Sequence, residues 1–169
     1  MSKPENHPHI LIYTDGCCHG NPGPGGYAAT LRRIAADGTE LKCRRVFGFE
    51  PENTTNIRME MIAVAKALEQ LAPDEPLPIV IRPDLELIVR TTTDYLPTWL
   101  TNGWRKSDGK PVKNRHLWER IVAAAEGKAI TWEWVRGHAG DPRNEEVDRL
   151  AAKQAELARR KAAALMCAD

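Results

Sequence analysis

The chain reads as one α/β domain, on three observations. An apolar, β-branched run, Ile10-Leu11-Ile12-Tyr13, leads into Asp15 and a loop containing Gly16, Gly20, Gly23, Gly25 and Gly26. Downstream the apolar residues switch to helical spacing at Ile57, Met61, Val64, Leu68 and Leu71. They then return to a short buried-strand run at Ile79-Val80-Ile81. Strand, helix and strand in that order form a crossover unit, which lays the later strand parallel to the first.

Composition narrows the field further. A length of 169 residues suits a single domain with a substantial core. The formal net charge is +1 with 28% charged residues, so any polyanion has to be gripped by local patches rather than by a basic coat. Cys17, Cys18, Cys43 and Cys167 form no CxxC pair and read as free thiols of a reducing compartment. The polar start MSKPENHPH carries no signal-peptide core, and no apolar run is long enough to span a bilayer. The expectation is a cytoplasmic protein without a membrane partner, with residues 1–8 and 160–169 as flexible tails.

The elements follow in order. A continuous apolar run suits a central strand covered on both faces, with Asp15 where the strand stops, either facing a ligand or solvated at a turn. Tyr27–Ile34 and Leu41–Phe49 alternate as two further strands joined at Asp37-Gly38, giving a three-stranded antiparallel meander. The helix over Asn56–Leu71 takes Asn56 as its N-cap and places Glu60 on its inward stripe. After the proline-rich loop 72–78, the strand at Ile79 brings Asp84 to the edge that holds Asp15; Asp84 can equally cap a helix from Leu85 onward. Thr91–Lys113 is irregular and interleaves Tyr95, Trp99 and Trp104 with Arg105, Lys106, Lys110 and Lys113, a composition that suits nucleic acid, although tryptophans also build cores. A short helix follows with Leu117, Trp118, Ile121 and Val122 as its apolar face. The strand Ile130–Val135 runs into Arg136-Gly137-His138-Ala139-Gly140, where a histidine between glycines favours chemistry over packing. A last helix starts near Pro142–Glu145, with Val147, Leu150, Ala151, Gln154 and Leu157 on its packed side, Asp148 at the border, and a tail that frays.

Asp15, Glu60, Asp84 and Asp148 therefore converge on one cleft. Four carboxylates repel one another unless a counter-charge joins them. An all-oxygen set favours Mg2+ first and Mn2+ second, and two such ions about 4 Å apart promote phosphodiester cleavage by activating water and stabilising the leaving oxygen. Each acid taken alone also reads as a surface charge or a cap.

Four segments carry a resemblance. They are YTDGCCHGNPGPGGY at Tyr13–Tyr27, TTNIRMEMIAVAKALEQL at Thr54–Leu71, GWRKSDGKPVKNRHLW at Gly103–Trp118, and WEWVRGHAGDPRNEEVDRLA at Trp132–Ala151. Together they resemble bacterial type 1 ribonuclease H. The resemblance implies a five-stranded mixed sheet, three strands antiparallel and two parallel, with helices on both faces. It implies a monomeric endonuclease that hydrolyses the RNA strand of RNA/DNA hybrids, largely without sequence preference, leaving 5′-phosphate and 3′-hydroxyl ends. It further implies that Asp15, Glu60, Asp84 and Asp148 bind two Mg2+ ions, with Mn2+ as a substitute, and that His138 shuttles protons or assists product release. Gly16, Cys18, Asn21 and Asn56 fall along the minor groove, where 2′-hydroxyls mark RNA. Thr55 falls at a DNA-strand phosphate, and Trp104 along the DNA-strand channel.

Three departures from the family pattern stand out. The third acid usually sits in Thr-Asp-Ser followed by Gln, whereas this chain has Pro83, Asp84, Leu85 and Glu86. Thr93-Asp94 looks more like that triplet, but only Asp84 keeps the family's distance to Gly103-Trp104. Where a basic handle is usual, Trp99-Leu100-Thr101-Asn102 appears, which predicts weaker and less salt-dependent binding. His19 stands in the first loop with no role legible in the sequence. Two rival readings stay open on the residues alone: a silent hybrid-binding module, and another nuclease or transferase on the same fold, such as a junction resolvase.

Overall fold

The computed structural model describes residues 6–134 and 140–168. Its sheet has five strands in the order β3-β2-β1-β4-β5. These are β1 His9–Cys18, β2 Gly23–Ile34, β3 Glu40–Thr54, β4 Ile79–Pro83 and β5 Ile130–Trp132. The first three pair antiparallel, while β4 joins β1, and β5 joins β4, in parallel. The helices are α1 Asn56–Glu69, α2 Glu86–Arg90, α3 Leu96–Trp99, α4 Arg115–Ala125 and α5 Pro142–Met166. None among the described residues is long and apolar enough to cross a membrane.

The unbroken apolar run of β1 is explained by cover on both faces. Ile10 and Ile12 join the larger core with Met61, Val64, Leu68, Trp118 and Ile121 of α1 and α4. Leu11 and Tyr13 point the other way, into a smaller core with Val80 and with Val147 and Ala151 of α5. Alternation along one strand thus sends its residues to two layers of helices. Gly26 lets the α5 layer close, since a Cβ there would lie 2.2 Å from the Ala155 nitrogen.

Several boundaries differ from the sequence expectation. The glycine-rich segment is mostly strand: β1 continues through Gly16, Cys17 and Cys18, paired with Tyr27, Gly26 and Gly25. Asp15 is therefore not at the tip of its strand; it is one residue beyond the last pairing with β4, Thr14 to Pro83. The sheet stops on one side of it only. The meander does turn at Asp37-Gly38, where Asp37 accepts from the Thr39 nitrogen at 2.9 Å and Gly38 takes φ +87°. Thr55, not Asn56, caps α1, its hydroxyl accepting from Arg58 N at 3.2 Å. Asp84 does not cap α2, whose N-cap is Leu85 without a side-chain bond.

The segment read as irregular is helical at first, α2 passing through a π-helical turn, Thr91–Tyr95, into α3. Three consecutive threonines followed by Asp94 hid this, because Thr and Asp are weak helix formers; Thr92 and Thr93 spend their hydroxyls on the Val89 carbonyl. The final helix also persists through the stretch expected to fray, to Met166. Arg159 and Arg160, both bonded to Glu156 one turn earlier, brace it. Ile57 and Leu157, assigned to packed faces, are instead exposed.

Candidate active site

An open cleft of about 480 Å3 lies where β4 ends beside β1, and Asp15, Glu60, Asp84 and Asp148 all line it. Each comes from a different place: Asp15 from within β1, Glu60 from the second turn of α1, Asp84 from just after β4, and Asp148 from the second turn of α5. Parallel pairing of β1 with β4 explains why the first and third acids meet, since Asp15 and Asp84 each follow the last bridged pair.

Glu60 is 2% exposed and held from two sides. Thr14 Oγ1 donates to Glu60 Oε1 at 2.8 Å, and the Asp84 backbone nitrogen donates to the same oxygen at 3.2 Å. Thr14 can do this because it precedes Asp15 and so faces the opposite side of the strand, toward α1. Gly16 makes the approach possible, as a Cβ there would sit 2.3 Å from the Glu60 nitrogen. The Gly16 nitrogen donates to Asp15 Oδ1 at 2.8 Å.

The acids raise one another's affinity for protons. Burial first, then the charges of Glu60 and Asp84, and then a hydrogen bond shared with Asp148 push the Asp15 carboxyl up to about 9. Burial likewise raises Glu60 to about 7 against the Thr14 bond that favours its charged form. Cys17, which also lines the cleft, is pushed up to about 12 by burial and by the charge of Asp15, so its thiol stays protonated and is no nucleophile at neutral pH. Asp148 reaches Asp15 and is itself exposed at the rim, at the border of the packed side where its spacing puts it; Val147 and Ala151 take the buried stripe of α5. Asp94 does not line the cleft; it is exposed on the π-helical turn and accepts from Thr93.

The rim gathers most of the remaining candidates. Asn56 lines the cleft, its side-chain oxygen accepts from the Cys18 nitrogen at 2.8 Å, and its own nitrogen donates to Asn21 Oδ1 at 3.3 Å. Gly16, Cys18, Asn21 and Asn56 thus form one continuous edge between β1 and α1. Thr55 is occupied as the α1 cap. Trp104 does not line the cleft: it is buried, in a left-handed conformation at φ 61°, with Trp99 6.3 Å away and the Arg115 guanidinium 5.4 Å over its ring. Arg58, on the first turn of α1, bonds Asn114 at 3.0 Å, linking the α1 side of the cleft to the start of α4 and the Trp104 neighbourhood. His138 lies outside the described residues. His19 does have a partner, Glu156 of α5 at 3.4 Å, which ties the β1–β2 turn to that helix.

Sequence reading passed over Thr14, the donor to Glu60, although its position next to Asp15 and on the opposite face was legible. It also passed over Trp134, whose indole nitrogen donates to the Asp84 carbonyl at 3.3 Å, a contact that only the fold reveals.

A sequence profile described as RNase H matches residues 7–156. A ribonuclease H of Xanthomonas campestris pv. campestris (strain 8004) is 48% identical over 146 residues, 86% of this chain and 91% of that protein. One from Ruegeria sp. (strain TM1040) is 50% identical over 144 residues, covering 85% and 89%. Among solved structures, LC9-RNase H1, a type 1 RNase H with the type 2 active-site motif, superposes with a TM-score of 0.75 at 32% identity, covering 92% of this chain and 75% of that one. LC11-RNase H1, solved in complex with an RNA/DNA hybrid, shares the fold at a TM-score of 0.62 and 23% identity, covering 88% and 98%. With a family profile over most of its length and relatives at nearly half identity, the chain belongs to the ribonuclease H family.

Proposed function

We propose that this chain is an endonuclease that hydrolyses the RNA strand of RNA/DNA hybrids at the cleft of Asp15, Glu60, Asp84 and Asp148, with two Mg2+ ions as resident cofactor. The observation that carries the reading is the convergence of four carboxylates from four elements on one open cleft, in a chain of this family. The donor set fits a hard divalent cation: every side-chain donor is a carboxylate oxygen, and Asp15 and Glu60 hold protons that such a cation would replace. Among the described residues no trio of ligating side chains is drawn tightly enough to cage an ion unaided. When bound, the cations supply an activated water and stabilise the departing oxygen, leaving 5′-phosphate and 3′-hydroxyl ends.

The chain's own residues do the rest. Thr14 and the Asp84 nitrogen hold Glu60 in place. The edge formed by Gly16, Cys18, Asn21 and Asn56 reads 2′-hydroxyls along the minor groove, so that recognition follows shape rather than sequence. Thr55 grips a DNA-strand phosphate, and Trp104 lies along the DNA-strand channel. His138 moves protons or speeds product release. The protein acts as a cytoplasmic monomer and a single domain, a setting that suits its free thiols.

The test is cleavage of a labelled hybrid with Mg2+, Mn2+ or EDTA, with double-stranded RNA and DNA as controls, comparing wild type with Asp84→Asn and Asp94→Asn. Metal-dependent cutting of hybrid RNA, lost in Asp84→Asn and kept in Asp94→Asn, is expected. Tight hybrid binding without cutting under any metal would replace the enzyme with a binding module.

A further inference from the structure

We infer that the Tyr13 hydroxyl is a positioning group that sets the start of α5, and through it Asp148, against Asp15. Tyr13 is 2% exposed and lies two residues before Asp15, on the same face of β1. Its hydroxyl donates to Asp141 Oδ2 at 2.7 Å and accepts from Arg82 Nη1 at 2.9 Å. Asp141 is the N-cap of α5, its other oxygen accepting from the Arg143 nitrogen at 3.0 Å and from Asn144 at 3.4 Å. One carboxylate thus ends the helix with one oxygen and fastens it to β1 with the other.

Arg82 completes the frame. It is the register partner of Tyr13, two residues before Asp84, and its guanidinium lies 5.7 Å over the Tyr13 ring. Its Nε donates to Glu133 Oε2 at 2.9 Å, while the Glu133 nitrogen bonds the Ile81 carbonyl at 3.0 Å. A single buried hydroxyl therefore joins the strand of Asp15, the strand leading to Asp84, and the helix of Asp148.

Beside the Asp148–Asp15 bond and the His19–Glu156 pair at the β1–β2 turn, polar ties of α5 run to farther strands. Glu146 pairs with Arg32 of β2 and with Arg45 of β3. Those pairs fix how α5 lies on the meander, whereas the Tyr13–Asp141 bond fixes its start against the strand that carries Asp15. From Asp141 to Asp148 is seven residues, about 10 Å of helix, so a small tilt at the cap is passed to the exposed carboxylate at the rim. Glu60 has a separate anchor in Thr14 and is insulated from such a tilt.

The inference rests on the reading of the four acids as a metal centre, and its test separates the two. Tyr13→Phe keeps the ring and removes only the hydroxyl. Mn2+ binding is followed by electron paramagnetic resonance, alongside the Mn2+ concentration giving half-maximal hybrid cleavage, in wild type, Tyr13→Phe, Asp148→Asn and the double variant. Tyr13→Phe is expected to weaken Mn2+ about three- to ten-fold, below the roughly ten- to hundred-fold that a direct partner of a metal ligand costs, because the hydroxyl acts through the helix. The rate at saturating metal should stay near wild type, and the Asp148→Asn background should show no further loss. Unchanged Mn2+ affinity in folded Tyr13→Phe, or an equal loss with and without Asp148, would overturn the inference. Wild type that neither binds Mn2+ nor cleaves hybrids would instead overturn the metal-centre reading beneath it. Should Tyr13→Phe not fold, Asp141→Ser keeps a helix cap but is too short to hold the hydroxyl, and carries the same expectations.

Discussion

The two walls of the cleft are built differently. On the α1 side Glu60 is buried, fixed by a hydroxyl and a backbone N–H, and approached by a glycine that admits no side chain. On the α5 side Asp148 is exposed; its carboxylate shares a hydrogen bond with Asp15, and the remaining ties act on its helix. One wall is held mainly by direct contacts and the other mainly by leverage. A preorganised ligand costs no ordering when the ion arrives, and an exposed one retains freedom to follow the substrate.

The sharpest way to break that comparison is to neutralise one acid at a time. Asp15→Asn and Glu60→Gln should lower hybrid cleavage by about a thousand-fold or more, on the order of 4 kcal/mol of barrier, whereas Asp148→Asn should lose only about ten-fold. Steady-state cleavage at saturating Mg2+ reads both. Equal losses on the two walls would mean that exposure does not distinguish their roles.

Proton linkage gives the next largest effect. Asp15 and Glu60 keep their protons in the folded state well above the range of a free carboxylate. From about pH 4 upward the folded protein then binds more protons than the unfolded chain, and stability without metal falls as pH rises toward 9. The oppositely shifted acids, Asp37, Glu69, Asp141, Glu146 and Glu156, act below that window, where stability falls as pH drops. Thermal melts in EDTA should therefore drop by roughly 3–6 °C between pH 5 and pH 9. Mg2+ should recover most of that loss at pH 9 and little at pH 5. A melting temperature that climbs steadily over this range in EDTA would mean that the acids are not packed as the structure has them.

Thr14→Val tests the fixed wall more gently. The substitution keeps the shape and removes the donor to Glu60, at a cost of about 1–2 kcal/mol in urea unfolding. The Mg2+ concentration for half-maximal cleavage should rise with it. A shift in stability without a shift in metal dependence would reduce Thr14 to a core residue.

What was legible in the sequence followed the same division. Periodicity revealed β1, α1 and the crossover because burial on both faces leaves a continuous apolar record, and the inward position of Glu60 could be read from helical spacing. The extension of β1 through Cys18 was hidden by glycines whose purpose is close approach, at Gly16 to α1 and at Gly26 to α5. The π-helical turn was hidden by threonines that satisfy themselves on local carbonyls. Spacing places Asp148 only at the border of the packed side, and what fixes the rotation of α5 is long-range: Arg32 and Arg45 on Glu146, and Tyr13 on Asp141. Contacts separated by about a hundred residues leave no periodic trace.

The smallest effect belongs to a surface remote from both walls. Leu100 follows α3 and is 52% exposed, at a place where the family resemblance leads one to expect a cation. Beside it, Arg105 and Lys106 share a shallow pocket with Tyr95, Trp99 and Asn102, so positive charge sits next to the aromatic stack rather than on the helix end. Leu100→Lys should tighten hybrid binding a few-fold at low salt and steepen the dependence of log K on log salt by about 0.9, the value for one added phosphate contact. The cleavage rate at saturating hybrid should not move, because neither wall of the cleft is touched. If the slope stays the same while affinity rises, the lysine has met something other than a phosphate, and the handle does not lie along the backbone path that the cleft implies.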